Sequence, residues 1–154
     1  MDFGIRDFRR ADFGTLWQID QSCFPPGIAY SKAELRAYVW APRVFTLVAE
    51  IIGADSRGIP ILGFIVAHAS PTKSAHIITI DVVSAGRRSG VGSALLAAAE
   101  ERLRGANCDG VRLETAVDNL PAQKFYERHG YKVVKRITGY YSTGLDAFVL
   151  TKSL

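Results

Sequence analysis

Apolar positions recur at two different periods along the chain, and the switches between them predict its elements. FGIRDF (3–8) predicts a short first strand. In ADFGTLWQIDQSCF (11–24), Phe13, Leu16, Trp17 and Cys23 or Phe24 repeat at helical spacing and predict a first helix, which PPG at 25–27 ends. Ser31 followed by Glu34 is a capping-box pattern. The hydroxyl accepts from a free N–H and the glutamate reaches back, so a short second helix begins there and stops before Pro42. VFTLVAEII (44–52) is rich in branched residues and predicts a strand, GADSRGIP (53–60) a hairpin loop, and ILGFIVAHAS (61–70) the next strand. The chain turns between Pro71 and Ala75, and HIITIDVV (76–83) is a third long strand. A glycine-rich loop then opens into a helix from about 91 to 104. Val91, Leu95, Ala99 and Leu103 form its inward stripe, and Gly105 is its stop. VRLETAV (111–117) predicts a strand. PAQKFYERHG (121–130) predicts a helix with proline in its first turn and Gly130 at its C-terminal cap. YKVVKRI (131–137) and DAFVLTKSL (146–154) predict two closing strands.

The order is β, α, α, then three strands, then α, β, α, β, β. It implies one mixed, mostly antiparallel α/β sheet of about 7 strands with about 4 helices on both faces. It is not a run of βαβ units, which disfavours a doubly wound dinucleotide-binding sheet. At 154 residues the chain can bury one sizeable core and is too short for two ordinary domains. No apolar run reaches the roughly 18 residues that span a bilayer. MDFGIRDFRRADFG has two early acids and no uninterrupted apolar stretch, unlike a signal peptide. Cys23 and Cys108 have neither metal-type nor framework spacing and read as reduced thiols of a cytoplasmic protein. The scattered His68, His76 and His129 speak against a metal site. The net charge of +4 is spread along the chain without a basic helix or a nucleic-acid-binding signature. It suits an anionic small ligand as well.

The stretch DVVSAGRRSGVGSALL (81–96) is the first candidate for chemistry. A helix N-terminus leaves N–H groups free and carries partial positive charge, and glycine lets a phosphate approach the backbone. The P-loop string G-x-x-x-x-G-K-[ST] is absent. The G-x-G-x-x-G pattern fails because Leu95 follows Gly90-Val91-Gly92 where the third glycine belongs. What remains, Arg87-x-x-Gly90-x-Gly92 after a strand, is by itself also compatible with an ordinary turn.

DNLPAQKFYERHGY (118–131) supplies N-x-x-A-x-x-F-Y-x-x-x-G-Y. With the upstream loop, in this order and spacing, the chain resembles the GCN5-related N-acetyltransferase (GNAT) superfamily. The two motifs cover about a third of the chain, and the element order fits as well. GYYSTGLDAFVL (139–150) further resembles the tail of RimI-type enzymes, the N-terminal acetyltransferases of ribosomal proteins, and CFPPGIAYSKAEL (23–35) is of that type too. The resemblance implies one acetyltransferase domain over 1–154 and acetyl-CoA as donor. The pyrophosphate would lie on Arg87, Arg88, Ser89, Gly90, Val91, Gly92 and Ser93, and the pantetheine would run beside the strand ending at Val82 and Val83. It departs from the common pattern at Ser84, where many members have proline, and at Gly86, where many have an aromatic. Neither position supplies chemistry, and a looser approach to the loop is expected.

Acetylating an amine needs a base, because unperturbed α-amines and lysines are mostly protonated at neutral pH. It needs a donor for the oxyanion and an acid for the leaving thiolate, but no enzyme nucleophile. Tyr126 matches the tyrosine that the superfamily often places beside the CoA sulfur, and is the candidate acid; the alternative is a core aromatic beside Phe125. Glu114 lies with Arg112 and Ala116 on one face of its strand, where RimI-type enzymes carry a glutamate suited to be the base; the alternative is a carboxylate paired with Arg112. His76 is the competing base, chemically suited as an imidazole. Asn119 is a candidate cofactor contact or a turn residue before Pro121. Tyr140 and Tyr141, joined by Tyr30, are candidates for the acceptor pocket. The expected acceptor is a protein N-terminal α-amine. The alternatives are a small-molecule amine (polyamine, amino acid or antibiotic) and a CoA-binding regulatory domain without turnover. The oligomeric state is open, monomer or dimer.

Overall fold

The computed structural model describes residues 2–53 and 60–154. The hairpin loop expected at 53–60 lies largely outside the described residues. The strands are β1 (Phe3–Asp7), β2 (Val44–Ile51), β3 (Ile61–Ala69), β4 (Ser74–Val82), β5 (Gly110–Ala116), β6 (Lys132–Ile137) and β7 (Ala147–Ser153). The helices are α1 (Phe13–Cys23), α2 (Lys32–Val39), α3 (Val91–Gly105) and α4 (Leu120–Arg128). Together the strands form a seven-stranded sheet in the order β1-β2-β3-β4-β5-β7-β6. Every neighbouring pair is antiparallel except β4 and β5, which are parallel and joined through α3.

The predicted periodicities are realised as two apolar layers. On one face Leu95, Leu96, Ala99 and Leu103 of α3 pack on Leu62, Ile65, Ile77, Leu113 and Leu150. On the other, Leu16 and Ile19 of α1 and Leu35 and Val39 of α2 pack on Val48, Phe64 and Val66. The capping box forms as expected: Glu34 N–H donates to Ser31 Oγ and Ser31 N–H to Glu34 Oε1. Gly130, with φ +90, follows the C-cap of α4. Gly105 does not stop α3. It is the last helical residue, and Asn107 takes the left-handed conformation beyond it; asparagine tolerates positive φ better than most residues. β4 begins at Ser74, so the turn before it is shorter than expected. Among the described residues no helix is long and apolar enough to cross a membrane.

One polar clamp ties α3 to the end of the chain. Buried Glu100 accepts from Lys152 Nζ at 2.9 and 3.1 Å and from Tyr131 Oη at 2.7 Å. Glu100→Gln keeps the shape but removes the charge from these bonds. It lowers unfolding free energy by about 1–2 kcal/mol, read as a lower urea midpoint at unchanged slope.

The feature that positions the site is the short reach of the parallel pair. β4 and β5 are in register only at Ser74–Gly110, Ala75–Val111 and His76–Arg112. Beyond His76 the strands part, and the β5-facing edge of β4 runs unpaired to Val82. An unpaired edge offers backbone donors and acceptors to an extended ligand.

Candidate active site

The splay brings together residues from both halves of the sequence. At its root His76 Nε2 lies 2.6 Å from Glu114 Oε2, with the side chains 22% and 13% exposed. The two candidate bases are therefore partners. An ionised carboxylate only accepts, so the imidazole N–H donates to it. Arg112 Nε stands 3.7 Å from Glu114 Oε1, too far for a hydrogen bond but near enough to attract. The pairing with Arg112 considered from sequence is thus the looser of the two.

On the donor side, Val82 and Val83 pack at the margin of the core, and Ser84–Gly86 form a 3-10 turn. The looser approach expected here does not occur. Gly86 is buried, and a Cβ would lie 3.2–3.3 Å from Val82 and Leu62 atoms, so the close packing explains the absence of an aromatic. Arg87 Nε donates to the Val82 carbonyl at 3.1 Å, Arg88 has φ +62, and Ser89 Oγ donates to the Gly86 carbonyl at 2.6 Å. Gly90, φ +83, is the N-cap of α3 and supplies no side-chain cap, which leaves the first N–H groups of the helix free. A Cβ on Gly90 would meet nothing within 4 Å, whereas one on Gly92 would press on the Phe125 ring at 3.2 Å. Val91 is fully buried in the core, so its side chain packs and does not face a ligand.

His129, one of the scattered histidines, completes this side. Its Nδ1 bonds the Phe125 carbonyl at 2.7 Å and must carry the proton there. Nε2, 2.9 Å from Ser93 Oγ, therefore accepts from the hydroxyl. This holds Ser93 at the third position of α3.

Asn119 is first of all a helix cap: its Oδ1 accepts from Ala122 N–H at 3.3 Å. The turn reading is the one realised for its oxygen, and only the amide NH2 is left for a ligand. Tyr126 is buried on α4, and no protein group bonds its hydroxyl among the described residues. Burial and the neighbouring Asp81 and Tyr141 push its ionisation well up, so the phenol stays protonated.

The candidate residues for the acceptor side come from two loops. Tyr140 and Tyr141 stand edge to face, 4.9 Å apart, in the β6–β7 connection. Burial raises both phenols; Glu114 contributes to both shifts, and Tyr140 adds to that of Tyr141. That loop touches the α1–α2 connection, where Ser142 Oγ donates to the Gly27 carbonyl at 3.1 Å and the α-carbon of Gly27 abuts Thr143. Tyr30, from the same connection, packs 5.2 Å from Tyr38 and donates from Oη to the Ile78 carbonyl at 3.3 Å. Its hydroxyl is therefore engaged, which leaves only its ring for any further contact. Cys23 is a free thiol whose ionisation burial pushes up, which does not suit a nucleophile.

Sequence reasoning missed Tyr38 and the carboxyls of Asp20 and Asp81, both buried. The signal for Asp81 was present: a lone acid in the apolar run HIITIDVV. Nothing local marked its partner.

The pattern of the acetyltransferase (GNAT) family matches residues 13–131. The chain is similar to an N-alpha-acetyltransferase from Sulfurisphaera tokodaii, 31% identical over 99% of this chain and 94% of that one. Its structure is similar to that of Ard1 from Thermoplasma volcanium, with a TM-score of 0.86, 28% identity, and coverage of 100% and 99% of the two chains. It is also similar to a chain of the NatC complex bound to Gag peptide and CoA, with a TM-score of 0.85, 25% identity and the same coverage. The family pattern takes in both sides of the splay and the helices that flank it, and the chain belongs to the acetyltransferase (GNAT) family.

Proposed function

We propose that this protein transfers the acetyl group of acetyl-CoA to the α-amine of a protein N-terminus by direct attack in a ternary complex, in the manner of RimI-type enzymes and in the cytoplasm. The observation that carries the reading is the His76–Glu114 pair, a proton acceptor at the root of the splay, with the phosphate cradle at its other end. The archaeal relative named as an N-alpha-acetyltransferase supports the acceptor class.

The residues present fit the donor. Free N–H groups at the start of α3, the open space over Gly90 and the nearby Arg87 and Arg88 suit a pyrophosphate. The unpaired edge of β4 through Val82 suits the amide groups of a pantetheine arm. Acetyl-CoA supplies the activated thioester. Glu114 Oε1 takes a proton from the acceptor ammonium, directly or through a water, while His76 N–H holds the other carboxylate oxygen. Tyr126 keeps its proton because it is buried and gives it to the departing thiolate. The rings of Tyr30, Tyr140 and Tyr141 border the path of the acceptor and keep water from it.

Tyr126→Phe lowers kcat about a hundredfold and leaves acetyl-CoA binding within about twofold, since the ring is kept and only the proton donor is lost. Unchanged turnover removes its acid role. The acceptor is tested by thiol release with short peptides of varied first residue against spermidine, lysine and aminoglycosides. Release with free peptides, and none with the same peptides blocked at the N-terminus, is expected. Turnover of the small amines alone favours the small-molecule reading, and acetyl-CoA binding without thiol release from any acceptor favours a regulatory domain.

A further inference from the structure

Beneath the acceptor side lie two carboxyls that the mechanism does not use. Asp20 on α1 and Asp81 on β4 are 0% and 1% exposed. Asp20 Oδ2 accepts from the backbone N–H of Tyr30 at 2.8 Å, and Asp81 Oδ1 accepts from Thr79 Oγ1 at 2.6 Å. The remaining oxygens, Asp20 Oδ1 and Asp81 Oδ2, are buried and take no bond from any donor among the described residues. The end of α1 meets the end of β4 here, with Cys23 Sγ 3.5 Å from the Val82 carbonyl, and the ionisation of each carboxyl responds to the other. Two carboxylate oxygens can bond only if one carries a proton, and two bare charges in a dry layer repel.

We propose that Asp20 and Asp81 share one proton and act as a positioning pair, clamping the Tyr30 wall of the acceptor side to the splayed half of β4. The acceptor side is defined by the transferase reading, on which this clause of the proposal rests. The path of force is short: β4, Asp81, the shared proton, Asp20, the Tyr30 backbone, and from the Tyr30 ring back to the Ile78 carbonyl. Trp17 Nε1 donates to the Tyr30 carbonyl at 3.3 Å, so α1 grips the same residue at both of its backbone groups. The titratable groups facing the pair are Cys23 from α1, Tyr30 from the connection, Glu34 from α2 and Tyr126 from α4. All are neutral or negative at neutral pH, so none replaces the proton. Arg87 reaches Cys23 but donates to the Val82 carbonyl.

The pH dependence follows in sign. Burial, and for Asp81 its neighbour Asp20 as well, holds both carboxyls above the ordinary carboxylate range, Asp81 far above it. Above that range the unfolded chain has released both protons while the folded chain keeps one. Stability therefore falls as pH rises toward the folded-state ionisation of Asp81, and the clamp loosens with it.

Asp81→Asn tests this, because its amide N–H donates to Asp20 at every pH while its carbonyl still accepts from Thr79. In the wild type the melting temperature falls and the acceptor KM rises as pH rises through the window between the unfolded and folded ionisations of the pair. In Asp81→Asn both slopes flatten, and the neutral-pH acceptor KM stays within about twofold of wild type. Asp81→Ala leaves Asp20 without its partner. It raises the acceptor KM about tenfold, with kcat and the acetyl-CoA KM little changed. The infrared spectrum of the wild type contains a protonated-carboxyl C=O band that Asp81→Asn lacks. In a Trp40→Phe background, Trp17 fluorescence shifts as pH rises in the wild type and not in Asp81→Asn, which reads the wall without any acetylation. An unchanged infrared band, an equal pH slope in the two proteins, or Trp17 emission indifferent to pH overturns the proposal. So does an Asp81→Ala effect spread equally over kcat and both KM values. If no amine is acetylated the transferase reading fails, while the band, the stability slope and the fluorescence still decide the pair.

Discussion

Glu114→Gln lowers kcat/KM about a thousandfold and leaves acetyl-CoA binding unchanged. A positioned general base contributes on the order of 10²–10⁴ in rate, and glutamine keeps the volume and the contact with His76 but cannot hold a proton. His76→Ala costs less, about 10- to 100-fold, because the carboxylate remains but loses the bond that orients it. The double variant is no worse than Glu114→Gln alone, since groups that act as one unit do not add. Thiol-release kinetics on the three variants, with acetyl-CoA binding followed by thermal shift, checks this. Near-wild-type turnover in Glu114→Gln moves the base elsewhere, and additive losses in the double variant separate the two residues.

Arg87→Ala with Gly90→Ala abolishes the stabilisation that acetyl-CoA confers. At about 100 times its Kd, a ligand that binds only the folded state adds about 2.7 kcal/mol. That is about 5–10 °C in Tm for a chain of this size. The alanine at position 90 has open space around its methyl group, so the loss does not come from a clash within the protein. It comes from the backbone, which must hold φ +83 without glycine, and from a methyl group standing in the opening before the free N–H groups of α3. Glu100→Gln is the control: it lowers the starting Tm through a clamp remote from the cradle and keeps the full ligand shift. A double variant that still shifts by several degrees places the phosphates elsewhere.

The elements of the candidate donor side were legible because they are nearly contiguous. A strand, a glycine turn and a helix start occupy residues 74–93, and the free N–H groups of a helix N-terminus follow from the local sequence alone. Where local reading failed there, the cause was a contact from afar. Gly86 is tight against Leu62, and Ser93 is held by His129 from the end of α4. The capping box at Ser31 and the stripe of α3 were readable for the same local reason. Asn119 shows the limit of reading one residue for one role: capping and ligand contact call for the same amide, and the helix claims its oxygen.

The proposed acceptor side draws on residues 30, 76, 114 and 140–141, far apart in sequence, and its root, His76 with Glu114, lies where β4 and β5 pair for three residues and then part. The amino-acid order dictated the elements, the two apolar layers and the uncapped start of α3, because periodicity, capping and the free N–H groups of a helix act over a few residues. Only the tertiary structure decided that Glu114 and His76 are one pair instead of rivals, and that Asp20 meets Asp81. Those outcomes depend on the angle at which strands diverge and on which carboxyls burial forces together, and no local pattern encodes either.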